Sequence, residues 1–97
     1  MTVDPAKEEQ MLRHFEEDFK PAAARFEGFI DVKMVKLRKA FLGKAPEGLN
    51  YRFVLTYENE ELRQKWIASE IHQKVWGQIA ATMRNKTKYD VLLFDVY

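Results

Sequence analysis

Few residues in this chain carry side chains suited to chemistry, and His72 is foremost among them. A neutral imidazole near pH 7 can take the proton of a phenol or quinol, leaving an electron-rich anion that reacts with oxygen without metal or flavin. A lone histidine just inside a helix start also suits a local cap or an interface. Trp66 and Trp76 are candidate walls for a small aromatic pocket, and either can instead anchor a helix on a sheet. Arg52 is a charge on an otherwise apolar run. It can orient an anionic or carbonyl group of a substrate, or pair with an acid such as Glu70 or Asp95. Tyr51 and Tyr57 share one side of that run and either line the same cavity or pack. His14 has no chemical neighbour and receives no role. No His/Asp/Glu cluster has metal-ligand spacing, no glycine-rich phosphate loop is present, and no serine has a nucleophile's setting. Neither a metal nor a cofactor is therefore expected.

The elements that must hold these residues can be read from periodicity. Asp4 is placed to cap a first helix, with Pro5 at its first position, where the missing N–H costs nothing. Met11, Leu12, Phe15, Phe19, Ala22, Ala23 and Phe26 follow at steps of three and four and form one helical face. Pro21 is expected to kink this helix or restart it, and Gly28 to end it in a left-handed cap. From Phe29 the period becomes two: Ile30, Val32 and Met34, then Val35 and Leu37 in shifted phase. That slip predicts a β-bulge near Met34–Val35. Residues 40–50, with Gly43, Pro46 and Gly48, read as a loop.

The next strand is Tyr51–Tyr57, with Tyr51, Phe53, Leu55 and Tyr57 on one side. Asn59 caps a helix that breaks near Ala68 and restarts at a second cap, Ser69; Val75, Trp76, Ile79, Ala80 and Met83 lie on the apolar face of the second half. Arg84–Lys88 reads as a polar, basic turn, and Val91–Tyr97 as a closing strand with Leu92, Phe94 and Val96 on one side. With Thr2–Val3 as a stub of first strand, the order gives an α+β domain of ferredoxin-like, split-βαβ layout, its first strand truncated. One sheet face would then be apolar and uncovered, and pairing of two chains into a dimer is the simplest remedy.

The 97 residues make one domain, with 46% hydrophobic, 13% aromatic and 32% charged residues, a composition of the globular class. The net charge of +1 gives no electrostatic case for nucleic acid. Residues 32–44 hold Lys33, Lys36, Arg38, Lys39 and Lys44 without an acid; the stripe reads as a strand edge guarded by lysine or as an anion site. Aromatic residues do not interleave with those bases, so no nucleic-acid reading surface is expected. The absence of cysteine excludes disulfides and a thiolate site and fits a reducing compartment. No apolar run reaches the ~18–20 residues of a membrane span, and the N-terminus is not a signal peptide, so a cytoplasmic protein is expected.

Gly28-Phe29 closing a helix, the strand Tyr51–Tyr57, and Trp66-x-x-Ser69-x-x-His72 followed by Trp76 and an apolar final strand resemble the antibiotic-biosynthesis-monooxygenase family of dimeric α/β barrels. The resemblance spans residues 5–97. It implies a homodimer with a pocket between helices and sheet. It also implies a cofactor-independent monooxygenase acting on a small phenolic or quinol-like substrate, with His72 as base, Trp66, Trp76, Tyr51 and Tyr57 lining the pocket and Arg52 orienting the substrate. The family also includes small stress-associated proteins, so a non-catalytic dimeric binding module is the alternative. Haem-degrading members use a histidine ten residues after the tryptophan; here that position is Trp76, and the first-strand asparagine they need has no counterpart. Haem degradation is therefore disfavoured.

Overall fold

The computed structural model describes residues 1–85 and 89–97. The Asp4 carboxylate accepts from the Ala6 N–H at 3.0 Å and opens a short 3₁₀ turn, Pro5–Lys7, that leads into α1, Glu8–His14. The helix then widens into a π-helical turn, Phe15–Phe19, before continuing as α2, Lys20–Ala24. The expected kink at Pro21 takes this form because proline has no N–H to return to the preceding turn. The helix relaxes just before it, and the Lys20 N–H reaches back to the Phe15 carbonyl. The helix ends at Ala24 with Arg25 still right-handed, so the left-handed cap expected at Gly28 is corrected: Gly28, at φ +89°, turns the chain into the strand that follows. Glycine is required there twice over, since a Cβ would also lie 2.6 Å from Leu62 Cδ1.

β1, Phe29–Lys36, and β2, Tyr51–Tyr57, form a two-stranded antiparallel sheet. The register pairs Lys36 with Tyr51, Met34 with Phe53, Val32 with Leu55 and Phe29 with Tyr57. The irregularity falls between Phe29 and Asp31, so the bulge expected at Met34–Val35 is corrected: the pleat runs unbroken there. Val35 and Leu37 stay on the outer face, 42% and 41% exposed, where apolar side chains can sit without changing register. That face alternates them with Lys33, Arg52 and Asp31, so it is half polar and not the continuous apolar surface the pattern implied.

α3, Glu60–Ala68, and α4, Glu70–Ala80, pack with the first helical segment on the inner face. Asn59 caps α3 through the Leu62 N–H, and Ser69 caps α4 through the His72 N–H. The N-terminal segment lies between the start of β2 and residues 82–84. The Met1 ammonium donates to the Tyr51 carbonyl at 2.9 Å, and the Tyr51 N–H donates to the Met1 carbonyl. The Asp4 N–H donates to the Thr82 carbonyl, the Arg84 N–H to the Thr2 carbonyl, and Val3 forms an antiparallel bridge with Met83.

Asn50 extends this pairing with its side chain. Its Oδ1 accepts from the Val3 N–H at 2.8 Å and its Nδ2 donates to the Val3 carbonyl at 2.7 Å, taking the place of a strand backbone.

The closing strand expected at Val91–Tyr97 does not form: these residues are exposed and outside any sheet. A strand needs an edge to bond, and the short Met1–Asp4 segment is already paired on both sides. Of the turn expected at Arg84–Lys88, residues 86–88 lie outside the described residues.

Asn50→Ala leaves the buried Val3 backbone without partners. It is expected to lower the unfolding free energy by about 1–3 kcal/mol, read as a reduced midpoint in urea denaturation. Asn50→Asp, which keeps one acceptor, is expected to fall between.

Candidate functional site

Three of the sequence-predicted site residues come together around Phe19. The Trp66 indole lies 5.7 Å from the Phe19 ring, the His72 imidazole 6.0 Å and the Trp76 indole 6.3 Å, all edge to face. Trp66 and His72 are themselves 5.1 Å apart. Helix geometry alone would not bring them so close. They meet because Ser69 breaks the chain between α3 and α4: its hydroxyl donates to the Trp66 carbonyl at 2.6 Å and accepts from the His72 N–H at 3.2 Å. The Trp-x-x-Ser-x-x-His spacing thus works here as a joint between two helices.

Trp66 is fully buried and His72 is 9% exposed. Burial pushes the imidazole below its usual pKa of 6.5, with a hydrogen bond to the Ile67 backbone acting the other way. At neutral pH the ring is therefore uncharged, the form a base needs, but it is enclosed by aromatic rings. Among the described residues, His72 Nδ1 and Trp66 Nε1 are both buried without a hydrogen-bond partner, as is the Tyr57 hydroxyl.

The other predicted residues lie elsewhere. Arg52 is exposed on the outer face of β2, with no carboxylate in ion-pair distance among the described residues; neither Glu70 nor Asp95 meets it. Tyr51 and Tyr57 stand at opposite ends of β2, six steps or roughly 20 Å apart, too far to line one small cavity. Tyr51 donates to Glu8 Oε1 at 2.6 Å, and the same oxygen accepts from Lys36 Nζ at 2.6 Å, which ties α1 to the sheet. The two donors hold the Glu8 carboxyl below its ordinary range. Burial, followed by the Glu8 contact, pushes the Tyr51 phenol up to about 12, and burial alone does the same for Tyr57. Both remain protonated phenols at neutral pH.

Neither described concavity lies at His72. One is a cleft of about 420 Å³ on the helical side, between α2 and α4. Phe26, Ala22, Ile71 and Val75 form its apolar surface, and Glu17, Asp18, Arg25 and Lys74 bring charge of both signs. Sequence reading missed this cleft, because Arg25 and Lys74 are ordinary wet-face residues until two helices place them together. It also missed Glu8 and Asn50, whose roles depend on partners more than forty residues away. Among the described residues no group of His, Asp and Glu could hold a metal ion, and no helix is long and apolar enough to cross a membrane. Comparison with family models, curated proteins and solved structures finds no match to this chain.

The buried imidazole sets a pH dependence. The unfolded chain binds a proton at His72 as pH falls through 6.5, whereas the folded chain resists until lower pH. In that window the unfolded state holds more protons, so acid favours it. Stability measured by urea titration is expected to be full above pH 6.5 and to fall steadily below it. His72→Phe is expected to flatten the fall between the unfolded and folded pKa values, leaving only the later loss as carboxylates titrate.

Proposed function

We propose that this chain is half of a dimeric α/β barrel of the antibiotic-biosynthesis-monooxygenase type and acts as a non-catalytic binding module. The ferredoxin-like layout is supported by the order in which paired segments lie side by side: residues 82–84, residues 1–4, β2 and β1, each antiparallel to its neighbour. That is the strand order of a split βαβ unit with its first and last strands cut short. The observation that carries the non-catalytic reading is the burial of His72 and Trp66 against Phe19: Trp66 is fully buried, His72 is 9% exposed, and neither lines a described cleft. The cleft between α2 and α4 is the binding surface. Its size falls in the range of small-molecule sites, and its apolar floor with charged rim suits a small aromatic molecule bearing polar groups.

One observation favours the oxygenase reading. Buried polar atoms are normally paired, and the unpartnered His72 Nδ1 and Trp66 Nε1 are the groups a phenolic substrate would meet if the aromatic cluster opened. His72 would then accept the phenol proton and oxygen would take the electrons.

Oxygen consumption with a panel of quinols separates the two. Wild-type protein is expected to match the protein-free rate, and titration with small aromatic acids is expected to shift the amide resonances of Phe26, Ile71 and Val75. Consumption by wild type that disappears in His72→Ala overturns the non-catalytic reading. Saturating ligand with no shift at those amides removes the cleft as the binding surface.

A further inference from the structure

Two large apolar side chains at the tip of the loop between β1 and β2 stand in water: Phe41 is 89% exposed and Leu42 97%. The base of this loop is held. The Leu37 N–H donates to the Asn50 carbonyl at 2.9 Å, and the Thr2 hydroxyl donates to the Gly48 carbonyl at 2.6 Å. Between those ties the chain projects from the body. Gly43 reverses it at φ +72°, and a Cβ built there would meet nothing within 4 Å. Single exposed apolar residues are ordinary. Two adjacent ones at a projecting turn, flanked by charge of one sign, call for a partner.

That charge is positive. Residues 32–46 contain no acid; Arg38 and Lys39 precede the tip and Lys44 follows it. Lys33 is paired with Asp31 at 3.4 Å and Lys36 with Glu8 at 2.6 Å. Arg38, Lys39 and Lys44 have no ion-pair partner among the described residues. The Lys39 ammonium instead lies 5.3 Å from the centre of the Phe41 ring. Charges act over only about 8 Å at physiological salt. A surface approaching the tip therefore meets these three cations and not the chain's overall charge of +1.

The candidate occupants ask different things of such a loop. A protein pocket needs an anchor held in one shape, and nothing packs beneath this turn. A nucleic acid would use the cations and the Phe41 ring and leave Leu42 in water. A bilayer with anionic headgroups asks for no fixed shape. It takes both apolar side chains below the headgroups and pairs the flanking cations with phosphate and carboxylate. We infer that the turn at residues 38–44 is a peripheral contact for an anionic lipid surface, with Phe41 and Leu42 immersed and Arg38, Lys39 and Lys44 at the headgroups. The contact lies on the bilayer and crosses nothing. It needs neither the cleft between α2 and α4 nor any pairing of chains.

Cosedimentation of the full chain with vesicles tests this. Wild type is expected to pellet with mixed phosphatidylcholine and phosphatidylserine, to stay in solution with phosphatidylcholine alone, and to be released by salt. Each cation near an anionic surface is worth about fivefold in affinity, so Arg38→Gln/Lys39→Gln/Lys44→Gln is expected to bind about a hundredfold more weakly. Phe41→Ser/Leu42→Ser keeps every charge and is expected to lose about tenfold or more. Both variants should keep the wild-type urea midpoint, since these side chains are exposed. A Phe41→Trp variant reports the tip itself: its added emission should be that of a wet indole in buffer and shift to the blue on mixed vesicles. Wild type left in solution by mixed vesicles overturns the lipid contact. Equal binding of wild type and the double-serine variant, with no blue shift, overturns immersion and leaves adsorption by charge. Blue emission from Phe41→Trp in vesicle-free buffer means that protein covers the tip, and overturns the lipid contact in favour of a protein one.

Discussion

Phe19 touches five other rings: Phe15 stacked beside it, and Phe53, Trp66, His72 and Trp76 edge on. Those partners come from the first helical segment, β2, α3 and α4, so one side chain joins every layer of the inner face. Burying a phenylalanine contributes about 1.5–3 kcal/mol, and edge-to-face pairs about 0.5–1.5 each beyond the area term. For a two-stranded sheet, which by itself is marginal in water, this cluster is what makes the sheet hold. The π-helical turn belongs to the same arrangement: it keeps Phe15 and Phe19 stacked over Phe53 despite the proline that follows.

That constraint also limits function. The rings that bind helices to sheet cannot at the same time stand apart to admit a substrate, and His72 lies among them. Its uncharged state follows from the burial, which leaves it only 9% exposed. The cleft on the helical side, lined by Phe26, Ile71 and Val75, lies apart from this cluster.

Local chemistry was legible in the sequence. Asp4, Asn59 and Ser69 each cap the element that their side-chain oxygens imply, while Gly28 adopts its positive φ in the turn into β1 and not as the helix cap. What depends on distant partners was not. The bulge was misplaced because Val35 and Leu37, apolar on a half-polar face, mimic a change of phase. Val91–Tyr97 reads as a strand by pattern, yet pattern cannot say whether the same chain offers it an edge. Trp66, Ser69 and His72 were singled out by a family resemblance; their joint role in turning one helix into the next appears only when the Ser69 hydroxyl is seen between them. Phe19 was visible as one apolar position among seven, with nothing local to mark it as the centre.

The account stands on the enclosure of Trp66 and His72 beneath Phe19, and proton exchange at the Trp66 indole reads that directly. Nε1 has no hydrogen-bond partner, so burial is its only protection. Exchange of the indole proton far slower than in free tryptophan, resolved from Trp76 by a Trp76→Phe variant, is the result expected. Exchange at the free-indole rate in folded protein would mean that the cluster opens readily, and the sealed core together with the non-catalytic reading would fall.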